Sequence, residues 1–286
     1  MPDAKNAPDK AAVLGGILKT IAATAHSENH PDGAVAVAFS GGLDSRFLIH
    51  MARRNRIAVQ ALHVRGPHIP SRENAYALDW AASTGVPLTL VECDPLTMPE
   101  LADNPKDRCY HCKKALFTAL REAAKGLSLC DGTNVSDRGE YRPGLQAVAE
   151  LGILSPLADA GFSKEDIRAV AAATGMDDPD QAAQPCLLTR FGYGETITRV
   201  RLLAVDAAEE AARAVFAGHG LPNAPFRVRF ESAHEPALHT SLASVSPALA
   251  KDLANALADA GLSGAPIRKM KTLSGYFDTV QANFSK

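Results

Sequence analysis

A short apolar run that ends in a glycine-rich loop is the feature that most constrains the fold of this chain. Residues 35–39 read Val-Ala-Val-Ala-Phe, and residues 40–45 follow as Ser-Gly-Gly-Leu-Asp-Ser. Two adjacent glycines let the backbone turn tightly and approach an anion, and a following helix directs N–H groups and its positive dipole end at that anion. We therefore interpret this stretch as a strand, an anion-binding loop and a helix, with the Ser40 and Ser45 hydroxyls as further donors.

The spacing of the loop separates it from two other phosphate-binding loops. No Lys-Ser or Lys-Thr pair follows the glycines, and the Gly-x-Gly-x-x-Gly pattern of dinucleotide folds is missing. The loop resembles the PP-loop of ATP pyrophosphatases, which hold the β- and γ-phosphates as a leaving pyrophosphate and transfer AMP to a substrate oxygen. This resemblance implies ATP binding by Ser40, Gly41, Gly42, Asp44 and Ser45. The alternative is a plain Gly-Gly turn between a strand and a helix.

Length and composition bound the architecture. The chain has 286 residues, 46% of them hydrophobic, which favours one α/β domain and a smaller C-terminal domain. Its 30 basic and 32 acidic residues give a formal charge of −2, so nucleic acid is a disfavoured partner. The five cysteines, an odd number without an export signal, indicate metal-binding, catalytic or buried thiols rather than a disulfide framework.

Neither a membrane span nor a leader is predicted. No apolar run approaches the ~20 residues that a membrane span needs. Residues 1–10 are polar and charged, which is not typical of a signal peptide. We therefore expect a cytoplasmic protein with no membrane partner.

The alternation of apolar and helical patterns predicts an α/β fold with an open parallel sheet, of the PP-loop or HUP-like type, and helices on both faces. Strands are predicted at 35–39, 57–64, 87–92, 127–130 and 153–157. Helices are predicted at 11–27, directly after the loop, and at 71–84, 113–125 and 164–174. Ligands of such sheets lie beyond the carboxyl ends of the strands, so residues 40–45, 131–137 and 155 should converge on one crevice.

The remaining segments predict two loops and a second domain. Residues 94–108 lack periodicity, which predicts a long loop closed by Cys109–Cys112, and residues 176–198 predict a functional loop. Later patterns predict helices at 200–217 and 247–260 and strands at 226–230 and 266–273. The predicted domains are therefore 1–198 and 199–286, the second a small α+β domain and a candidate for oligomerisation and for contacts with a substrate phosphate.

Several downstream stretches narrow the resemblance to one family. With the loop, they resemble the LarE family over about residues 35–229. They are Arg108–Phe117, Asp131–Asp137, Tyr141–Gly144, Ser155–Leu157, Lys164, Ile167–Arg168, Pro185–Arg190, Tyr193–Gly194 and Ile197–Thr198. LarE proteins are ATP-dependent sulfur transferases that make the thiocarboxylates of the nickel-pincer nucleotide. The resemblance implies a pyridinium mononucleotide bearing carboxylates as the substrate, and self-association into a homo-oligomer.

The implied chemistry begins with activation of a carboxylate. A carboxylate is a poor electrophile because its leaving group would be oxide, and attachment of AMP supplies a better one. Mg²⁺ would neutralise the charge that develops as pyrophosphate departs, and Asp44 is the carboxylate best placed to hold the ion. Alternatively, Asp44 only caps the following helix.

The resemblance also implies a source of sulfur. In one LarE type, the cysteine that matches Cys186 gives up its own sulfur, whereas another type carries two further cysteines. Here Cys109, Cys112 and Cys186 give three thiolates for a 4Fe–4S cluster with one open iron that could hold hydrosulfide. Three alternatives stay open: a zinc site that includes His111, a redox pair of Cys109 with Cys112, and a sacrificial Cys186. Cys93 and Cys130 are predicted to be buried packing residues.

Basic residues are needed for the phosphate and carboxylates of the substrate. Arg190 closely follows Cys186, and Arg227 and Arg229 lie two apart on a predicted strand, so their guanidinium groups should point to one face. The alternative for this pair is a solvated basic strand edge. We expect Cys186, Asp44 and Arg190 to be catalytic, and sulfide or another sulfur donor to be consumed. The competing function is a tRNA thiolase, which uses the same loop.

Overall fold

A parallel β-sheet organises the part of the chain that contains the glycine-rich loop. The computed structural model describes residues 7–26, 30, 32–138, 143–182, 184–232 and 234–279. The strands are β1 (Val35–Ala38), β2 (Val59–Arg65), β3 (Leu88–Glu92) and β4 (Ser128–Cys130). They lie in the order β3-β2-β1-β4, and each neighbouring pair is parallel. This arrangement confirms the predicted α/β class.

The helices that flank this sheet bury its apolar strands. They are α1 (Ala7–Thr24), α2 (Leu43–Arg54), α3 (Ser71–Thr84), α4 (Arg108–Ala123), α5 (Val135–Arg138), α6 (Pro143–Glu150), α7 (Pro156–Asp159) and α8 (Lys164–Ala173). Val35 and Val37 of β1 are fully buried with Phe47 of α2 in one core. Burial on both faces is what the near-continuous apolar run of a parallel strand requires.

A second, smaller sheet lies in the C-terminal part of the chain. Its elements are α9 (Arg199–Gly218), β5 (Phe226–Phe230), β6 (Pro236–Thr240), α10 (Pro247–Asp259) and β7 (Ile267–Lys269). β5 and β6 are antiparallel, whereas β6 and β7 are parallel. Leu202 of α9, Val228 of β5 and Leu253 of α10 are fully buried in a core of their own. The predicted α+β character of this region is confirmed, although β6 was not predicted.

The chain divides into two compact units that each combine separate segments. The first unit comprises 1–66, 73–93 and 107–184, and the second comprises 67–72, 94–106 and 185–286. The second unit therefore includes 185–198, while the domain boundary predicted after residue 198 stays a prediction. None of the helices in the described ranges is both long enough and apolar enough to cross a membrane.

Two local predictions are wrong. The predicted strand at 153–157 is reduced to one bridge between Leu154 and Cys130, and helix α7 begins at Pro156. Proline suits the first turn of a helix and cannot donate to a sheet, so it ends the extended segment. Cys109 and Cys112 do not close a loop but lie in the first turns of α4.

The residues Tyr141 and Arg142 of the proposed family motif lie outside the described residues.

Candidate functional site

The glycine-rich loop is folded around two serine hydroxyls. Gly42 N–H donates to Ser40 Oγ (3.2 Å), and Ser45 Oγ donates to Gly42 O (3.0 Å). Gly41 has φ +78°, and a Cβ added to it would lie 3.0 Å from the Cβ of Ala77. The first backbone bond of α2 runs from Arg46 N–H to Gly42 O, so the earlier amides of this helix have no intrahelical acceptor. The loop therefore has the form of an anion-binding turn.

Asp44 pairs with a lysine from a distant helix. Its Oδ2 accepts a hydrogen bond from Lys164 Nζ at 2.5 Å, while its Oδ1 is buried and has no partner among the described residues. Burial raises the pKa of the Asp44 carboxyl, Lys164 opposes this shift, and Asp137 adds to it. The N-cap of α2 is Gly42, and no side chain caps that helix, so the capping role considered for Asp44 is wrong.

A second loop packs directly against the first. A Cβ added to Gly132 would lie 3.0 Å from Asp44 Cβ and 3.1 Å from Ser45 N. Asp131 fixes this loop by accepting hydrogen bonds from Thr133 Oγ1 (2.6 Å) and Ser155 Oγ (2.8 Å). The segments after β1 and β4 and the one around Ser155 thus converge, as the carboxyl-end rule predicted.

A buried arginine, which the sequence analysis missed, holds a third segment against the glycine-rich loop. Arg46 is fully buried and donates to the carbonyls of Asp177 (2.9 Å) and Asp178 (2.9 Å) and to Gln181 Oε1 (3.0 Å). Gln181 Nε2 in turn donates to Gly41 O at 3.2 Å. These acceptors follow Arg46 by more than 130 residues, so no local pattern could have indicated them.

The three candidate cysteines are distributed over both units. Cys109 is exposed and Cys112 is buried, both in the first unit, whereas Cys186 is half-buried and lies in the second. Within the described residues of either unit, no three His, Cys, Asp or Glu side chains form a group that could hold a metal ion. His111, which the zinc alternative requires, pairs with Asp107 at 3.1 Å.

The backbone around Cys186 is well anchored within its own unit. Its carbonyl accepts hydrogen bonds from the backbone N–H of Thr189 (3.1 Å) and from its hydroxyl (2.7 Å), which closes the short 3₁₀ helix Leu187–Arg190. The next amide, Leu187 N–H, donates to His68 O at 2.8 Å.

The two other cysteines differ in their environment. Cys130 is fully buried, and this burial raises the pKa of its thiol to about 12, which confirms a packing role. Cys93 is only half-buried, so its predicted burial is not observed in full.

The candidate arginines form one group in the second unit, in which Arg190 and Arg229 are buried and Arg227 is half-buried. Arg190, which is 1% exposed, donates to both carboxylate oxygens of Glu209 at 2.6 and 3.1 Å. Arg229 is 4% exposed, so the alternative of a solvated strand edge is wrong for it. Burial, followed by Arg190 and Arg227, lowers the pKa of Arg229 to about 10. Burial also lowers the pKa of Arg227, and Arg190 adds to this effect. One glutamate thus faces three guanidinium groups.

Comparisons with other proteins identify the family to which the chain belongs. No protein-family model matches the chain. The uncharacterized protein slr1717 of Synechocystis sp. is 37% identical over 180 residues, which are 60% of this chain and 66% of that protein. The uncharacterized protein MJ0830 of Methanocaldococcus jannaschii is 30% identical over 65% of this chain and 72% of its own length. Pyridinium-3,5-bisthiocarboxylic acid mononucleotide synthase of Lactiplantibacillus plantarum is 32% identical over 203 residues, 69% of this chain and 71% of that enzyme. By this similarity and by its motifs, the chain belongs to the LarE family.

Proposed function

We propose that this protein is an ATP-dependent sulfur transferase that converts a carboxylate of a pyridinium mononucleotide into a thiocarboxylate, in the biosynthesis of the nickel-pincer nucleotide. The similarity to the synthase of Lactiplantibacillus plantarum carries this proposal. The anion-binding form of the loop at residues 40–45 supports the use of ATP.

The first step transfers AMP to the substrate. A carboxylate oxygen attacks the α-phosphorus, and the bond to the β-phosphate oxygen breaks as pyrophosphate departs. The loop and the start of α2 hold the departing phosphates, and the unpartnered oxygen of Asp44 is a suitable ligand for Mg²⁺. Lys164, already paired with Asp44, lies where it could neutralise a phosphate once the ion has taken over the carboxylate. Lys164 is therefore a candidate phosphate ligand.

The second step replaces oxygen by sulfur. Hydrosulfide attacks the acyl carbon, the bond from carbon to the AMP oxygen breaks, and AMP leaves with the electron pair. Loss of the thiol proton then gives the thiocarboxylate. A 4Fe–4S cluster bound by three cysteines would supply an open iron on which hydrosulfide is carried. Cys109 and Cys112, three residues apart in one helix, have the spacing for two of its ligands, and Cys186 is the proposed third.

The arginine group in the second unit is proposed to bind the anions of the substrate. Arg190, Arg227 and Arg229 together carry more positive charge than Glu209 can balance, and burial makes this excess costly without an anion. A mononucleotide offers a phosphate and two ring carboxylates as counter-charges. We also propose that the protein self-associates, as the family resemblance implies.

The experiment combines the anaerobically reconstituted protein with ATP, Mg²⁺, sulfide and the pyridinium biscarboxylate mononucleotide. We expect AMP, pyrophosphate and a product whose mass increases by the replacement of oxygen with sulfur. A parallel reaction contains unmodified tRNA instead of the mononucleotide. Thiolated RNA without any thiocarboxylate would replace our proposal with a tRNA thiolase.

The same preparations test the source of sulfur. Iron and acid-labile sulfide should disappear in Cys109→Ala, Cys112→Ala and Cys186→Ala, while the control Cys93→Ala retains both. Bound zinc in the wild-type protein would contradict the cluster. Dehydroalanine at position 186 after turnover would instead identify Cys186 as a sacrificial donor.

A further inference from the structure

His239 lies beside Arg229 in a buried polar chain that the steps above do not use. The Arg229 Nη1 donates to His239 Nδ1 at 3.0 Å, and the imidazole is fully buried. His239 Nε2 contacts Glu231 Oε1 at 2.9 Å. Glu231 also accepts hydrogen bonds from the Tyr276 hydroxyl (3.0 Å) and from Arg268 Nε (2.8 Å).

The chemistry of these groups allows only one form of the imidazole. A guanidinium can only donate, so Nδ1 of His239 must be the unprotonated acceptor. Nε2 therefore carries the proton and donates a hydrogen bond to the Glu231 carboxylate. Tyr276 and Arg268 keep that carboxylate ionised and in place, because both donate to it. The chain from Glu231 through His239 to Arg229 thus fixes a neutral imidazole with one tautomer.

This chain determines how the guanidinium of Arg229 is presented. Nη1 binds His239, Nη2 donates to the carbonyl of Leu273, and the ring of Tyr276 lies 5.2 Å from the guanidinium carbon. The remaining Nε is buried and has no hydrogen-bond partner among the described residues. A buried donor without an acceptor is costly, so an oxygen acceptor supplied at this position would lower that cost.

We propose that His239 is a positioning residue, which holds Arg229 so that its Nε is presented to a phosphate or carboxylate oxygen of the mononucleotide. This inference rests on the proposed function, because the anion belongs to its substrate. Protonation of His239 would put an N–H against the Arg229 N–H, and the hydrogen bond that positions the guanidinium would be lost.

The groups around His239 define the direction of the pH dependence. Burial lowers the pKa of His239, Glu231 opposes this shift, and Arg229 and Arg268 strengthen it. The imidazole is therefore neutral at pH 7 and becomes charged only as the pH falls below its ordinary value of 6.5. Anion binding should be intact at neutral pH and weaken as the pH falls through the lowered pKa.

The test compares two substitutions that differ in one acceptor. In His239→Asn, the side-chain Oδ1 replaces Nδ1 as acceptor for Arg229, whereas His239→Leu removes it. Calorimetric binding of nicotinic acid mononucleotide at pH 7.5 should be about 10-fold weaker in His239→Leu and near wild type in His239→Asn. Between pH 7.5 and 5.5, affinity should fall in the wild type beyond any loss seen in His239→Asn.

Two results would overturn the inference, and they differ from a failure of the proposed function. Equal affinity of the wild type and His239→Leu, with Arg229→Gln weakened, removes the positioning role but leaves Arg229 as an anion ligand. Equal affinity of the wild type and Arg229→Gln would show that Arg229 does not bind the substrate. Both the positioning role of His239 and the proposed anion-binding role of Arg229 would then be wrong. If His239→Leu does not fold, ¹⁵N-histidine spectra of the wild type decide, because a protonated Nδ1 at pH 7.5 contradicts the proposed tautomer.

Discussion

The glycine-rich loop and the buried arginine group have opposite electrostatic deficits. At the loop, Lys164 pairs with Oδ2 of Asp44, but the pKa of this carboxyl is still raised and its buried Oδ1 has no partner among the described residues, so the negative charge of Asp44 is only partly compensated. In the arginine group, Arg227 and Arg229 have lowered pKa values, and Glu209, which pairs with Arg190, opposes but does not reverse this lowering, so the positive charge is only partly compensated. Neither region is optimised for the ligand-free protein. This difference agrees with the proposal that the loop binds Mg²⁺ with ATP and that the arginine group binds the anions of the substrate.

The two regions also differ in how the chain assembles them. The loop is made from six consecutive residues, whose serines and glycines bond to each other. The arginine group combines residues from a 3₁₀ helix, from α9 and from β5, and depends on one buried pair, Arg190 with Glu209. A local substitution should therefore alter function at the loop but stability at the arginine group.

The largest effect is expected at the buried pair. Glu209→Ala leaves the Arg190 guanidinium buried without its carboxylate, which should lower the free energy of unfolding by about 3–5 kcal/mol. The matched control is Glu210→Ala, because Glu210 pairs with Arg213 at 3.4 Å near the surface and should contribute at most about 0.5 kcal/mol. Urea denaturation measures both. Similar losses in the two variants would show that the arginine group does not depend on this pair.

An intermediate effect is expected where the two loops touch. In Gly132→Ala, the new Cβ would lie 3.0 Å from Asp44 Cβ and 3.1 Å from Ser45 N, which is tighter than ordinary contact, so these loop atoms must move by a few tenths of an ångström. We expect kcat/KM for ATP to fall roughly 10- to 100-fold, because small displacements of a phosphate site are costly. Gly16→Ala in α1 is the control, since no atom lies within 4 Å of its added Cβ, and it should retain activity. Unchanged ATP kinetics in Gly132→Ala would contradict the close contact.

The smallest effect is a gain in stability. Asp44→Asn removes a carboxylate whose pKa is raised despite its pairing with Lys164, so its charged form destabilises the fold and the free energy of unfolding should rise slightly at pH 7. Because the folded state holds that proton more tightly, the gain should be present above the raised pKa and vanish below pH 3.8. Thermal unfolding across this range measures it. Activity with Mg²⁺ and ATP should be lost, and a stability loss instead would contradict the assigned deficit.

The sequence predicted well those helices whose ends are marked by a glycine or by a capping box. Helix α3 spans the predicted 71–84, where Gly85 with φ +66° ends it, and α8 begins with the Ser163–Asp166 capping box. Strand β6 was missed because it begins with proline, which argues against a strand in a sequence pattern. The partners Glu209 for Arg190 and His239 for Arg229 come from other elements, so spacing indicated the arginines but not what they contact.

The hydrogen bonds by which Arg46 and Gln181 hold residues 177–181 against the glycine-rich loop have a consequence for local unfolding. Because Arg46 holds the carbonyls of Asp177 and Asp178, and Gln181 reaches Gly41, residues 177–181 cannot separate from the glycine-rich loop without uncovering a buried charge. The two segments should therefore open as one cooperative unit in native-state hydrogen exchange. A nucleotide that slows deuterium uptake at the loop should then slow it equally in residues 177–181. This segment is distant in sequence and need not contact a phosphate.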